Sequence, residues 1–139
     1  LLALAEQKHL DIGVESDKDV ELLSNEMDLY TLIKNLVDNA IRYTPEGGTI
    51  DLCLAQTRDG VHLQIKDSGP GIKVEERSRV FDPFYRTLGS GESGSGLGLS
   101  IVKAIADRIG ARVELAWSDE IHRRGLCVSL WFTLPAQQS

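Results

Sequence analysis

Apolar residues recur along this chain in two different periods, and the switches between them lay out its elements. Leu10-Asp11-Ile12-Gly13-Val14 alternates as a half-buried strand does, and Val20 to Leu23 predicts a short second strand. Ser24 and Asn25 then stand where helix caps belong. Beyond them Leu29, Leu32, Ile33, Leu36, Val37, Ala40 and Ile41 recur three and four apart, which predicts a helix from Met27 to Tyr43 ended by Thr44-Pro45-Glu46-Gly47-Gly48. Thr49 to Gln56 and Val61 to Asp67 return to the strand period, with Arg58-Asp59-Gly60 as the turn of a hairpin. Lys73 to Val80 reads as a short helix. Leu97, Ile101, Ile105 and Ile109 are each four apart and predict another helix, closed by Gly110. Ala111 to Ser118 and Leu126 to Leu134 read as the last two strands. Strands and helices alternate without regular β-α-β repetition, so the expected architecture is a mixed sheet with helices on one face.

Composition narrows the class. The chain has 139 residues, 42% hydrophobic and 26% charged, which fits one folded domain and disfavours disordered tails or rods. The formal net charge of -6 argues against nucleic acid and against direct contact with an anionic membrane. All of it lies in residues 1–28, which hold eight acidic residues against two Lys; residues 29–139 hold 13 of each sign. The acidity therefore says nothing against one metal-bound phosphate ligand. No apolar run approaches the roughly 18 residues of a membrane span, and Leu1 to Ala5 meets Glu6 too soon for a signal-peptide core. A first residue that is Leu reads as a cut inside a longer protein. Cys53 and Cys127 lie in apolar strand runs without paired spacing, which fits a reducing compartment and core packing.

Candidate chemistry sits at four places. Asn35 and Asn39 are one helical turn apart, and Arg42 and Tyr43 follow on the same side. The set fits either a rim for a metal-phosphate group, with amide oxygens serving Mg2+, or a solvated polar face. Asp67 ends a strand just before Gly69 and Gly71. Its carboxylate fits an acceptor for an exocyclic amine beside a backbone that a flat ring can approach, or an ordinary Asp-Ser-Gly-Pro turn. Gly89 to Gly94 is a literal GxGxxG, but no strand precedes it, so it is not a dinucleotide fingerprint, and no Lys-Ser or Lys-Thr pair follows to make a P-loop. Gly94-Ser95-Gly96-Leu97-Gly98-Leu99 runs straight into a helix, whose first amides suit an anion. His9, His62 and His122 lack metal spacing, and Trp117, Trp131 and Phe132 fit core or sheet-surface positions.

Taken in this order, the blocks resemble the ATP-binding catalytic domain of bacterial sensor histidine kinases, within the superfamily of gyrase, heat-shock chaperone, histidine kinase and mismatch-repair ATPases. Asn35 to Pro45 is similar to the N box, Asp67 to Gly71 to the first glycine box, Phe81 to Arg86 to the F box and Gly94 to Leu99 to the second glycine box. The resemblance implies a two-layer α/β sandwich, about five strands on three helices, with a glycine-rich ATP lid over Thr87 to Ser93. It implies that Asn39, with Asn35, ligates Mg2+, that Arg42 and Arg86 contact phosphate, and that Asp67 accepts from adenine. Tyr43, Gly69, Gly71 and Ile72 would line the nucleotide, and Gly94, Gly96, Leu97, Gly98 and Leu99 would cradle phosphates. Residues 1–10 would be the remnant of a link to a dimerisation and phosphoacceptor domain, and 11–139 the catalytic domain. No His here matches the family's phosphoacceptor, so the γ-phosphoryl would pass to a histidine elsewhere in a homodimeric, inner-membrane sensor, and on to a cognate response regulator. This part would be cytoplasmic. The alternatives are a superfamily ATP hydrolase, an anti-sigma serine kinase or a degenerate non-catalytic adaptor. The hydrolases' Glu ahead of the N-box Asn has no match in Asp28 or Asp38.

Overall fold

A computed structural model describes residues 6–16, 26–57, 60–82 and 98–133. The alternating stretches become five strands of one sheet: β1 (Asp11–Ser16), β2 (Thr49–Thr57), β3 (Gly60–Asp67), β4 (Ala111–Asp119) and β5 (Arg124–Thr133). Their order is β1-β2-β3-β5-β4. β1 pairs parallel with β2, and the other neighbours are antiparallel, so the sheet is mixed as expected. Two helices, α1 (Glu26–Tyr43) and α2 (Gly98–Ile109), pack on each other and on one face of it.

The core lies between these layers. Val61, Leu63 and Ile65 of β3 and Val128 and Leu130 of β5 meet Leu32, Leu36, Ala40 and Ile41 of α1 and Val102, Ile105 and Ala106 of α2. Leu32, Ile50, Val102 and Leu130 have no exposed surface. Fully burying one such side chain is worth about 1.5–3 kcal/mol, so this double layer holds the sheet and helices in register. Arg108 of α2 also forks onto the Asp28 carboxylate of α1, at the surface.

Two expectations change, and a third holds in part. The buried stripe of α2 is Leu99, Val102, Ile105 and Ala106, with Ile101 and Ile109 only flanking it. A strict four-residue ladder drifts about 40° per step around a 3.6-residue helix, so it cannot keep facing one layer. Lys73 to Val80 forms only a 3-10 turn, Val74–Glu76, in which no residue is buried, so it adds no further α-helix beside α1 and α2. With no apolar face to bury, nothing drives a longer helix there. Of the two cysteines, Cys127 is buried, as core packing predicts, and Cys53 is half-buried; they are registered opposite Lys66 and Gln64 on the face turned away from the helices. On that face the His62 ring stacks on Trp131 at 3.7 Å, with Arg112 above Trp131. The expected strand Val20 to Leu23, the caps Ser24 and Asn25 and the lid Thr87 to Ser93 fall outside the described residues. Among the described residues no helix is long and apolar enough to cross a membrane.

Candidate functional site

Asp67 closes β3 opposite Ile50, which is fully buried on the helix-facing side, so its carboxylate enters the layer between sheet and helices. It is 7% exposed. One oxygen, Oδ1, accepts both the Gly69 N–H at 2.8 Å and the Leu126 N–H at 3.1 Å. Burial raises its pKa above the ordinary carboxylate value, and the two amides pull the other way. With Oδ1 taken, Oδ2 is the atom through which Asp67 can accept a ligand's N–H.

The glycines after it are required by the protein's own packing. Gly71 has φ +78, and a Cβ there would stand 2.5 Å from the Trp117 ring and 2.6 Å from the Gly125 carbonyl oxygen. A Cβ on Gly69 would come within 2.7 Å of the Tyr43 carbonyl oxygen. The β4–β5 hairpin grips this segment: Gly125 N–H donates to Gly69 O at 2.7 Å and Ser118 Oγ donates to Asp67 O at 2.8 Å. Close backbone approach is thus already realised between protein segments, whatever else binds there.

On α1, Asn35, Asn39 and Arg42 run along one flank of the buried stripe, each half-buried, while Ile33, Val37 and Ile41 take the other. Asn35 Nδ2 donates to Thr31 O at 2.7 Å, which turns that amide's oxygen away from its own helix as an acceptor for a hard cation. The C-terminal end of α1 is held from outside. Lys8 Nζ donates to Ile41 O at 2.8 Å and Arg42 O at 3.1 Å, and Lys8 O accepts from Gly47 N–H at 2.8 Å. An ammonium on the last carbonyls also suits the helix dipole. Tyr43, one residue on, is the point at which α1 abuts the glycine segment.

Ile72 is 8% exposed and forms part of the core wall, with its carbonyl accepting Arg77 Nε at 3.0 Å. Gly98 begins α2, and the Leu99 side chain is buried, so Leu99 can meet a ligand only through its amide in the first turn. Phe81 packs on the core edge. The structure therefore brings the segment from Asp67 to Ile72 up to the end of the Asn-bearing helix, where Gly69 lies against Tyr43. Arg86, Gly94, Gly96 and Leu97 lie outside the described residues. Sequence reasoning missed Lys8, Arg77, Trp117, Ser118 and Leu126. The one local signal was Gly125 in a charged turn; the others act through contacts 5 to 59 residues away in sequence.

Residues 24–138 match the family described as histidine kinase-, DNA gyrase B-, and HSP90-like ATPase. The swarming motility regulation sensor protein RssA of Serratia marcescens is 36% identical over 110 residues, 78% of this chain and 24% of RssA. The chain thus spans about a quarter of that relative's length. Among solved structures, the mycobacterial sensor histidine kinase MprB superposes with TM-score 0.82 at 26% identity, over 96% of this chain and 91% of that one. Full-length ShkA, in complex with AMPPNP, superposes with TM-score 0.78 at 26% identity, over 96% of this chain and 28% of that one. A fold of five mixed strands under two helices, an Asn-bearing helix abutting a clamped Asp-Ser-Gly-Pro-Gly segment, and the match over residues 24–138 have one reading: this chain belongs to the histidine kinase-, DNA gyrase B- and HSP90-like ATPase family, as the ATPase domain found in sensor histidine kinases.

Proposed function

We propose that this chain binds Mg-ATP and presents its γ-phosphoryl to a histidine on a separate dimerisation and phosphoacceptor domain. The observation that carries the reading is the Asp67 carboxylate, buried, fixed by two amides on Oδ1 and left with Oδ2 for the adenine amino group. The AMPPNP complex of ShkA supports the nucleotide, and the likeness to the sensor histidine kinase MprB supports histidine as acceptor.

In this reading Gly69, Gly71 and Ile72 take the base with Asp67, and Tyr43 borders it. Asn35 and Asn39 supply amide oxygens to Mg2+, which when bound offsets phosphate charge. Arg42 and Arg86 contact phosphate, and the amides of Gly94, Gly96, Leu97, Gly98 and Leu99 cradle it. The chain's work is positioning and electrostatics. An imidazole nitrogen from outside forms the new N–P bond as the bond from γ-phosphorus to the bridging oxygen breaks; ADP leaves, and the imidazole proton goes to an acidic neighbour on the acceptor domain. A homodimeric, membrane-anchored parent and a cognate response regulator belong to the same proposal.

Calorimetry with ATP and ADP, with and without Mg2+, tests this. Asp67→Asn should weaken nucleotide by about 1–3 kcal/mol, through an amine facing a donor instead of an acceptor. Asn39→Ala should lower affinity only when Mg2+ is present. Unchanged affinity in both variants refutes the site, and absence of acid-labile phosphohistidine with a matching acceptor domain refutes the transfer.

A further inference from the structure

Arg77 follows the 3-10 turn, and its guanidinium is drawn beneath the glycine segment instead of out into solvent. Nε donates to Ile72 O at 3.0 Å, Nη1 reaches Leu115 O on β4 at 3.4 Å, and Cζ lies 5.1 Å from the centroid of Trp117. Nη2 is sealed from solvent without a hydrogen-bond partner among the described residues. The same Trp117 ring lies against Gly71, where a Cβ would stand 2.5 Å from it. One indole therefore supports both Gly71 and the cation that ties back the next residue, Ile72.

This arrangement is poor value as a stabiliser. A guanidinium taken out of water with an unpaired N–H carries a desolvation cost that an apolar side chain of similar size would not. Its advantage is placement: a planar fork on a flat ring fixes direction as well as distance, which an ammonium cannot do.

We propose that Arg77, stacked on Trp117, is a positioning residue for the base end of the nucleotide site, holding Gly71 and Ile72 against β4. The proposal rests on the reading of Asp67, Gly71 and Ile72 as the base-binding segment. Arg77 acts through these residues and touches no reacting atom, so its loss raises the dissociation constants of ATP and ADP together and leaves the phosphoryl end alone.

The test uses the 139-residue chain, with calorimetry for affinity and Trp117 emission in a Trp131→Phe background. Arg77→Met should raise the dissociation constants of ATP and ADP by the same factor, about tenfold, and abolish the nucleotide-dependent change in Trp117 emission. Arg77→Lys should not restore either, because it lacks the planar fork. Trp117→Phe, a milder change that carries the test if Arg77→Met does not fold, should raise both constants about threefold, and the two effects should be less than multiplicative when combined. An Arg77→Met or Trp117→Phe chain that melts at lower temperature yet binds within about twofold of the parent overturns the proposal, as does full restoration by Arg77→Lys. If Asp67→Asn itself leaves affinity unchanged, the reading of the site fails first, an outcome distinct from Asp67→Asn weakening nucleotide while Arg77→Met does not.

Discussion

Ser118 Oγ donates to the backbone carbonyl of Asp67 at 2.8 Å, across 51 residues of sequence, and lies 3.2 Å from Arg124 O. The bond fixes the end of β3 to the β4–β5 hairpin at the residue whose carboxylate carries the candidate site. Ser118→Ala should destabilise the fold by about 1 kcal/mol and weaken ADP several-fold, measured by urea melts and calorimetry. Loss of stability with no loss of affinity would separate the hairpin from the site.

Asp67 gives a pH dependence with a defined sign. Burial puts its folded-state pKa above the unfolded one, so the stability it contributes is full below about pH 3.9 and is lost as pH rises through the raised value. Asp67→Asn cannot ionise and escapes that loss, so urea melts should show the variant gaining on the parent as pH rises through this interval. ADP affinity should run the other way in the parent, falling as acid protonates the acceptor, and should stay flat in the variant.

Lys8 Nζ donates to the last carbonyls of α1, Ile41 O and Arg42 O. Lys8→Met keeps the length of the stem and removes the ammonium. It should cost about 1 kcal/mol in a half-exposed setting and speed amide exchange at Thr44, one of the residues closing that helix. Protection unchanged at Thr44 would show that the cap does not hold the helix end.

Gly71 and Gly110 share a positive φ, +78 and +77, but differ in surroundings. Nothing lies within 4 Å of a Cβ on Gly110, whereas a Cβ on Gly71 meets Trp117 and Gly125. Gly110→Ala should cost about 1 kcal/mol, from backbone strain at the helix C-terminus alone. Gly71→Ala should cost more and also weaken nucleotide; equal thermal shifts in the two variants would contradict the crowding.

Thr44 has no exposed surface, and its Oγ1 has no hydrogen-bond partner among the described residues. Thr44→Val swaps an unpaired hydroxyl for a methyl of the same shape. The variant should be about 1 kcal/mol more stable in urea melts with nucleotide affinity unchanged.

Sequence periodicity was sufficient for β2, β3, β4, β5 and α1, because a strand or helix facing one core must place its apolar residues at the matching period, and these segments do so locally. It placed α2 as a helix too, though not its buried stripe, and it failed where no apolar face exists, as at Val74–Glu76. Asp67, Gly69 and Gly71 were visible as a polar and glycine-rich break after a strand. Chain order alone did not show that Leu126 and Ser118 hold Asp67, or that Trp117 and Arg77 lie under Gly71.

The sequence by itself therefore determined the element types, the mixed α/β class and the candidate residues, since each depends on spacing within one segment. Tertiary structure alone decided which oxygen of Asp67 is engaged, why Gly71 must be glycine, and what holds the ends of α1 and β3. At Asp67 and Gly71 these are consequences of strand order β3-β5-β4, which sets residues 51 to 59 positions apart within hydrogen-bond distance, whereas α1 is held by Lys8 from the segment ahead of β1. Hydrogen bonds and packing act over a few ångströms of space, and no local pattern records which distant segment will fill that space.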